Sequence, residues 1–440
     1  MSFETILKQP LNRRGFLGVL GSASVLATMG AARPARAAAA RVVVVGGGFG
    51  GATAAKYIAQ WGGAGVSVTL VEPNARHVSC ILSNLVLNDR VNLASLGFGY
   101  DRLKQRYGIE VVADRAMGAD PVAGKLDLAS GIALDFDRLV IAPGIGFDPM
   151  PGLDTPEQQM LVPHAWQAGA QTQSLRDQLN AMADGGTVVM SIPKAPYRCP
   201  PGPYERACVI ADFLKRKKPK SKLVVLDANA DIQAEPLMFR NAFTMLYAGR
   251  LEYVPNAMVT RVSFEGRRRK AWVSDGVGGE IAWTADVLNV IPRNTAARLA
   301  HDLGVVNVNG RWAGVNPLTY ESTAAARIHV IGDAQATGLP KAGHIANSEA
   351  KICADAIVRM VNGWPVDDAV RMQSVVANSA CFSPITYDTA SWLNAVFAYD
   401  PATGLMKRVD ASFGEAPARS KENYEHMMKW AARLFDDTFA

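Results

Sequence analysis

The stretch Arg41-Val42-Val43-Val44-Val45-Gly46-Gly47-Gly48-Phe49-Gly50-Gly51 sets the fold. A β-branched run of this kind reads as a parallel strand buried on both faces. It leads into G-x-G-x-x-G at Gly46, Gly48 and Gly51, and Ala52 to Gln60 then reads as a helix. The three glycines serve different physical ends, namely the tight turn, the approach of backbone to a pyrophosphate, and close helix–strand packing. The phosphates would sit on the helix N-terminus, where free N–H groups and the dipole favour anions. A second strand, Val66 to Val71, ends in Glu72, 21 residues past Gly51. An acid there is placed to bind ribose hydroxyls. Strand, glycine turn, helix, strand and terminal acid together describe a dinucleotide-binding unit.

Working outward, the N-terminal flank reads as a targeting segment and not as fold. Arg13-Arg14-Gly15-Phe16-Leu17 is a twin-arginine pattern, Leu17 to Met29 is weakly apolar, and Ala35-Arg36-Ala37 offers a small-x-small cleavage site. Such a leader exports proteins already folded, so the mature protein is expected in the periplasm. The formal charge of +6 includes five basic residues and one acid in residues 1–37, which leaves the remainder near +2. That is too little to argue for nucleic acid. The basic runs Lys215 to Lys222 and Arg267 to Lys270 read as solvated surface or as a docking patch for an acidic partner. No apolar run approaches the ~20 residues of a membrane span, so no integral membrane contact is expected. No metal site is expected either.

Downstream, Leu139-Val140-Ile141-Ala142-Pro143-Gly144 is a strand ending in a small-residue turn. It resembles the segment that closes the FAD domain in two-dinucleotide flavoproteins of the glutathione reductase type. Arg327-Ile328-His329-Val330-Ile331-Gly332-Asp333-Ala334 resembles the second FAD motif of that superfamily. The match implies that Asp333 binds the ribityl chain and that Gly332 permits its close approach. Lys341-Ala342-Gly343-His344, running into a helix, would bring a helix N-terminus near the isoalloxazine. Lys341 is counted among the cofactor-binding residues.

Between these segments lies a second α/β unit, with strands Thr187 to Ile192 and Lys222 to Asp227 around a helix from Tyr204 to Lys217. Where a nicotinamide-binding unit has glycines, this chain has Pro193-Lys194-Ala195-Pro196-Tyr197-Arg198-Cys199-Pro200-Pro201-Gly202-Pro203. Proline offers no N–H, so a pyrophosphate cradle cannot be built there, and no NAD(P) is expected.

Five cysteines cannot all pair within a monomer. Cys199 precedes a helix and sits near Arg198 and Lys194, which should favour its thiolate. Cys381 falls in a loop-like stretch, and Cys80 follows soon after the ribose-binding acid. Cys353 and Cys208 lie within helical patterns and read as small buried hydrophobes. From spacing alone, Cys199 could pair with Cys208 if the proline-rich turn folded back.

His77-Val78-Ser79-Cys80-Ile81-Leu82-Ser83-Asn84, Pro196 to Glu205, and Asn378-Ser379-Ala380-Cys381-Phe382-Ser383-Pro384 carry a fuller resemblance. Over essentially the whole mature chain the sequence is similar to the flavoprotein subunit of flavocytochrome c sulfide dehydrogenase, a relative of sulfide:quinone oxidoreductases. Ser379-Ala380 before Cys381 departs a little from the family pattern. The resemblance implies FAD bound covalently through Cys80, and a redox-active disulfide between Cys199 and Cys381. Hydrosulfide would open that disulfide to a persulfide, and the freed thiolate would pass two electrons to the flavin. Glu205 is a candidate proton shuttle. A c-type cytochrome subunit would take the electrons, since this chain has no C-x-x-C-H of its own.

The expected fold class is α/β, with two Rossmann-like dinucleotide-binding domains plus a smaller C-terminal α+β domain. The boundaries are a leader at 1–37, the FAD domain at 38–152 and 294–364, the degenerate second fold at 153–293, and a flavin-covering, partner-facing domain at 365–440. Its aromatic residues Trp392, Phe397, Tyr399 and Trp430 suit a core or an interface. Two rival functions remain: sulfide:quinone oxidoreductase, supported by an amphipathic tail from Asn423 to Phe435, and a non-catalytic flavin-binding sulfur carrier.

Overall fold

The valine run forms the strand Ala40–Val45, central in a five-stranded sheet. Its neighbours are Val66–Val71 on one side and Arg138–Ile141 on the other, with Glu110–Val112 and Ile328–Val330 outermost, all parallel. This is a computed structural model, and it describes residues 39–440. The twin-arginine segment lies outside the described residues. The helix after the glycine turn runs Phe49–Gly62, starting before the expected Ala52. Nine of its residues are buried, including Ala52, Ala54, Ala55 and Ile58. It packs against the 19-residue helix Gly343–Val361 through small side chains that let the axes approach closely.

The second α/β unit has four parallel strands in the order Leu251–Val254, Lys222–Asp227, Thr187–Ile192, Val287–Val290. The strands at 187–192 and 222–227 fall where the sequence places them, and the helix between them begins at Gly202. Parallel order needs crossover connections, and the Gly202–Lys217 helix supplies one of them. Its charged end is tied to this chain's own surface: Arg216 pairs with Asp212 at 2.7 Å, and Lys218 Nζ donates to the Asn180 carbonyl at 2.9 Å.

Beyond residue 375 the strands turn antiparallel: Val376–Pro384, Ala390–Asp400 and Leu405–Arg408, with Gly414–Glu415 on the second. Cys381 therefore lies in a nine-residue strand and not in a loop. Asn378, Ser379, Ala380 and Ser383 around it are residues of low strand propensity, and pairing with Ala390–Asp400 overrides that preference. The helix Lys421–Phe439 closes this unit with Tyr424, Met427, Ala431, Leu434 and Phe439 buried. Its end reaches the glycine turn. Phe439 stacks on Phe98 at 4.9 Å and His77 at 5.5 Å, while Asn347 and Lys351 donate to Asp437 at 2.8 and 2.7 Å.

Candidate active site

At the carboxyl ends of the first sheet's strands, where open α/β sheets bind ligands, lies a cleft of about 770 Å³. It is lined by Gly46, Gly48, Glu72, Cys80, Gly332 and Asp333 among others. The glycines divide the labour predicted from the motif. Gly46 has φ 99°, a left-handed value that favours glycine. A Cβ on Gly51 would fall 1.8 Å from the Gly46 carbonyl oxygen, so this position needs hydrogen for helix–strand packing. A Cβ on Gly48 would meet only His77, at 3.4 Å, and so this glycine leaves backbone open toward the cleft. Glu72 holds the loop, accepting from the Gly47 N–H at 2.8 Å and the Asn74 N–H at 2.9 Å.

These residues fit FAD on one observation above all. Asp333 Oδ1 is buried with no hydrogen-bond partner, at the edge of the cleft. Burial raises its carboxyl, opposed by the charges of Arg198 and Lys341. An acceptor in that state suits a ligand hydroxyl. Lys341 is placed differently from the other residues named for the cofactor. Its ammonium donates to the carbonyls of Asp333 at 2.8 Å and Gln335 at 2.6 Å, lies 3.8 Å over the Trp312 ring, and is 6% exposed. It braces the turn that carries Asp333 and does not line the cleft.

A second, smaller pocket of about 80 Å³ shares Cys80, Arg198 and Gly343 with the cleft. Cys199, Cys381 and Glu205 also line it, with Phe382 and Trp430. Such a volume suits a small solute, not the drug-sized ligands of ordinary pockets. Three cysteines from three distant segments thus converge beside the dinucleotide cleft. Cys208 and Cys353 are buried elsewhere, and Cys208 lines neither space. None of the five is in a disulfide in this structure.

Each element has a local reason to be here. Cys199 adopts φ 58°, turning the chain within the proline-rich segment, and its N–H donates to the Lys341 carbonyl at 2.6 Å. Glu205, one turn into the helix, is 8% exposed and accepts from Asn84 Nδ2 at 2.8 Å. The other end of that amide accepts from Arg206 Nε at 2.9 Å. Arg206 is 2% exposed and also donates to the His164 and Ala165 carbonyls, at 2.8 and 2.6 Å. His344 Nδ1 accepts from the Ala380 N–H at 3.0 Å, which anchors the strand of Cys381.

The expected thiolate at Cys199 is not what this environment favours. Burial, and then the charges of Cys381, Glu205 and Cys80, push its thiol well up, and Arg198 opposes them only weakly. Lys194 is exposed, and the helix begins three residues later, at Gly202. Burial, and then the charges of Glu235 and Glu205, raise the Cys381 thiol to about 12. Glu205 is lifted to about 8 by burial, against the pull of its Asn84 hydrogen bond. The pocket therefore favours neutral thiols and a carboxyl that changes charge near neutrality. Sequence reasoning missed Asn84 and Arg206 as members of the site. Asn84 closes the quoted Cys80 segment, while no local pattern marks Arg206.

In the second fold, the acid that ends the strand Lys222–Asp227 is turned inward. Asp227 is fully buried, and its Oδ2 accepts from Tyr204 and Tyr253 hydroxyls, both at 2.8 Å. Its Oδ1 accepts from the Asn229 N–H at 2.9 Å.

Fold and clefts together define a two-dinucleotide-fold flavoprotein, and residues 40–183 match the family described as pyridine nucleotide-disulphide oxidoreductase. Residues 172–292 match the central part of the family described as the flavoprotein chain of sulfide dehydrogenase [flavocytochrome c]. A 46-residue stretch, 10% of this chain, is 59% identical to the sulfide dehydrogenase [flavocytochrome c] flavoprotein chain of Chlorobaculum thiosulfatiphilum, covering 94% of that sequence. The chain belongs to this family of flavocytochrome c sulfide dehydrogenase flavoprotein chains. Among solved structures, the sulfide:quinone oxidoreductase of Aquifex aeolicus superimposes with a TM-score of 0.72 at 18% identity, over 91% of both chains. The NAD-dependent persulfide reductase of A. fulgidus gives 0.58 at 16%, over 90% of this chain and 77% of that one. At these identities the likeness is one of fold.

Proposed function

We propose that this chain is the FAD-bearing catalytic subunit of a periplasmic sulfide dehydrogenase that hands electrons to a c-type cytochrome. The observation that carries the reading is the convergence of Cys80, Cys199 and Cys381 on one small pocket open to the dinucleotide cleft. Gly46, Gly48, Glu72 and Asp333 would hold FAD, and Cys80 would tether it covalently. FAD bound there supplies an acceptor for electron pairs that can release them singly.

Cys199 and Cys381, joined as a disulfide, are the electrophile. Hydrosulfide attacks one sulfur: a new S–S bond forms, the bond between the cysteines breaks, and the other cysteine departs with the electron pair. Because the pocket disfavours thiolates, the departing sulfur needs a proton. Glu205, protonated near neutrality, is placed to give it. The small volume admits sulfide and the beginnings of a sulfur chain. Asp227, already satisfied by two phenols, speaks against nicotinamide as the electron source or sink.

The quinone alternative leans on an amphipathic C-terminal helix. In this fold the apolar face of Lys421–Phe439 is packed against the body, and among the described residues no helix is long and apolar enough to cross a membrane. Anaerobic addition of sulfide to the purified holoprotein tests the proposal directly. Bleaching of the flavin, with electrons then passing to cytochrome c, is expected. A flavin that stays oxidised would leave the sulfur-carrier reading.

A further inference from the structure

Two guanidiniums lie over one indole ring at the cysteine pocket. Arg206 stands 4.7 Å from the centre of the Trp166 ring and Arg198 stands 5.9 Å from it. The ring is held in place: its backbone N–H donates to His164 Nδ1 at 2.9 Å, and the preceding carbonyl, of Ala165, accepts from Arg206 at 2.6 Å. A Cβ added to Gly202 would fall 2.9 Å from Trp166 Cη2 and 2.8 Å from Cys199 Sγ, so the ring edge and the sulfur both abut this glycine. Trp166 is 5% exposed and lines the pocket, and its Nε1 is buried without a partner.

The two cations differ in what engages them. Arg206 directs its donors at neutral groups, namely the Asn84 and Asn289 amides and the carbonyls of His164 and Ala165. Among the described residues, the Arg198 guanidinium has no hydrogen bond and no ion pair; its backbone alone is fixed, the N–H donating to Asn294 Oδ1 at 3.0 Å. Asp333 feels its charge without pairing with it. Arg198 is half-buried and lines both the pocket and the dinucleotide cleft. A cation with free donors is costly beside apolar walls such as Phe382 and Trp430 unless an anion meets it. The same walls admit an anion only where a cation compensates it. Glu205, the carboxyl in this lining, is raised to about 8 by burial and so does not repel one at neutrality.

We propose that Arg198, with the indole N–H of Trp166 as second donor, is an anion-binding subsite of the cysteine pocket, which takes its substrate as hydrosulfide and accepts other small monovalent anions in its place. This rests on the sulfide-oxidising reading and adds to it the group that receives the nucleophile. The attacking species in thiol–disulfide chemistry is the anion. A guanidinium is always charged and weakly hydrated, so it can hold that anion beside the sulfur pair without itself changing protonation.

Bromide is the probe, since it carries a single negative charge and scatters anomalously. In bromide-soaked crystals of the FAD-loaded protein, an anomalous peak is expected in the pocket against the Arg198 guanidinium, and it should vanish in Arg198→Met. In stopped-flow reduction of the flavin, bromide should compete with sulfide in the wild type. Arg198→Met should need about 10- to 100-fold more sulfide for half-maximal rate, the scale of a hydrogen bond to an ion, with a smaller fall in the limiting rate. Arg198→Lys should recover part of that loss. Trp166→Phe, which keeps a ring and removes the donor, should weaken bromide competition. A wild-type pocket without a peak, the guanidinium being taken up by the cofactor instead, would overturn the proposal. So would a peak that persists in Arg198→Met, which marks an adventitious ion only. Should sulfide fail to reduce the wild type, the parent reading fails, and the bromide peak with its loss still decides the subsite. If Arg198→Met does not fold, Arg198→Gln, polar and uncharged, takes its place with the same two outcomes.

Discussion

The backbone N–H of Cys199 donates to the carbonyl of Lys341 at 2.6 Å, joining the proline-rich turn of the second dinucleotide fold to the FAD half of the chain. Lys341 in turn braces Asp333, so one bond ties the cysteine pocket to an acid on the wall of the dinucleotide cleft. The pocket and the cleft are therefore built as one unit.

Cys199→Ser and Cys381→Ser should each retain flavin and lose sulfide-driven flavin reduction by about 10³-fold or more, the scale set by removal of a nucleophilic centre. Stopped-flow bleaching under nitrogen measures it. Cys208→Ser, altering a buried thiol that lines neither space, should turn over as the wild type does. Normal reduction by both pocket variants would eliminate the disulfide mechanism.

Cys80 lies where the two spaces meet. Acid precipitation of the wild type should leave the flavin with the protein, on the peptide that contains Cys80, whereas Cys80→Ala should release all of it to the supernatant. Mass spectrometry of the digest reads both outcomes.

Glycine positions in the motif should separate by phenotype. Gly51→Ala forces a Cβ against the Gly46 carbonyl and should cost about 3 kcal/mol or more of stability, as overpacking against backbone does. Gly48→Ala meets no such obstacle, and should leave the melting temperature of flavin-free protein nearly unchanged while weakening flavin retention. Equal melting losses in the two would contradict the division of roles.

Glu205 sets a pH dependence whose sign is fixed by its raised carboxyl. A group held more tightly protonated in the fold contributes stability fully below its unfolded value of 4.5, and that contribution is lost as pH rises through about 8. Glu205→Gln has no charge to bury. Its urea midpoint should therefore rise relative to the wild type between pH 5 and 9, by the equivalent of about 4 kcal/mol. Parallel curves across that range would show that the carboxyl is ordinary.

The first dinucleotide unit is legible because its signals are local: valines, glycines and the acid at Glu72 follow one another along the chain, and the structure returns them as strand, turn, helix and strand. Cys381 reads as loop because polar, weakly strand-forming neighbours hide a register that only Ala390–Asp400 supplies. The thiolate expected at Cys199 fails for a related reason. Neighbouring basic residues are visible in sequence, but the burial that outweighs them comes from segments distant in the chain. Cys199 and Cys381 are named through family likeness, and no pattern within the chain relates positions so far apart.

Asp227 carries a lesson for redesign. Replacing the prolines of 193–203 with glycines would make a glycine-rich loop on paper, yet the carboxylate that ends the neighbouring strand is already engaged by Tyr204, Tyr253 and Asn229. Converting this scaffold to reduced nicotinamide would require vacating those hydroxyls as well, each removal leaving a deeply sunk anion unsatisfied until the coenzyme arrives. Packing behind the loop thus resists such a redesign, and exchanging the loop alone should yield a weaker protein before it yields a nicotinamide site.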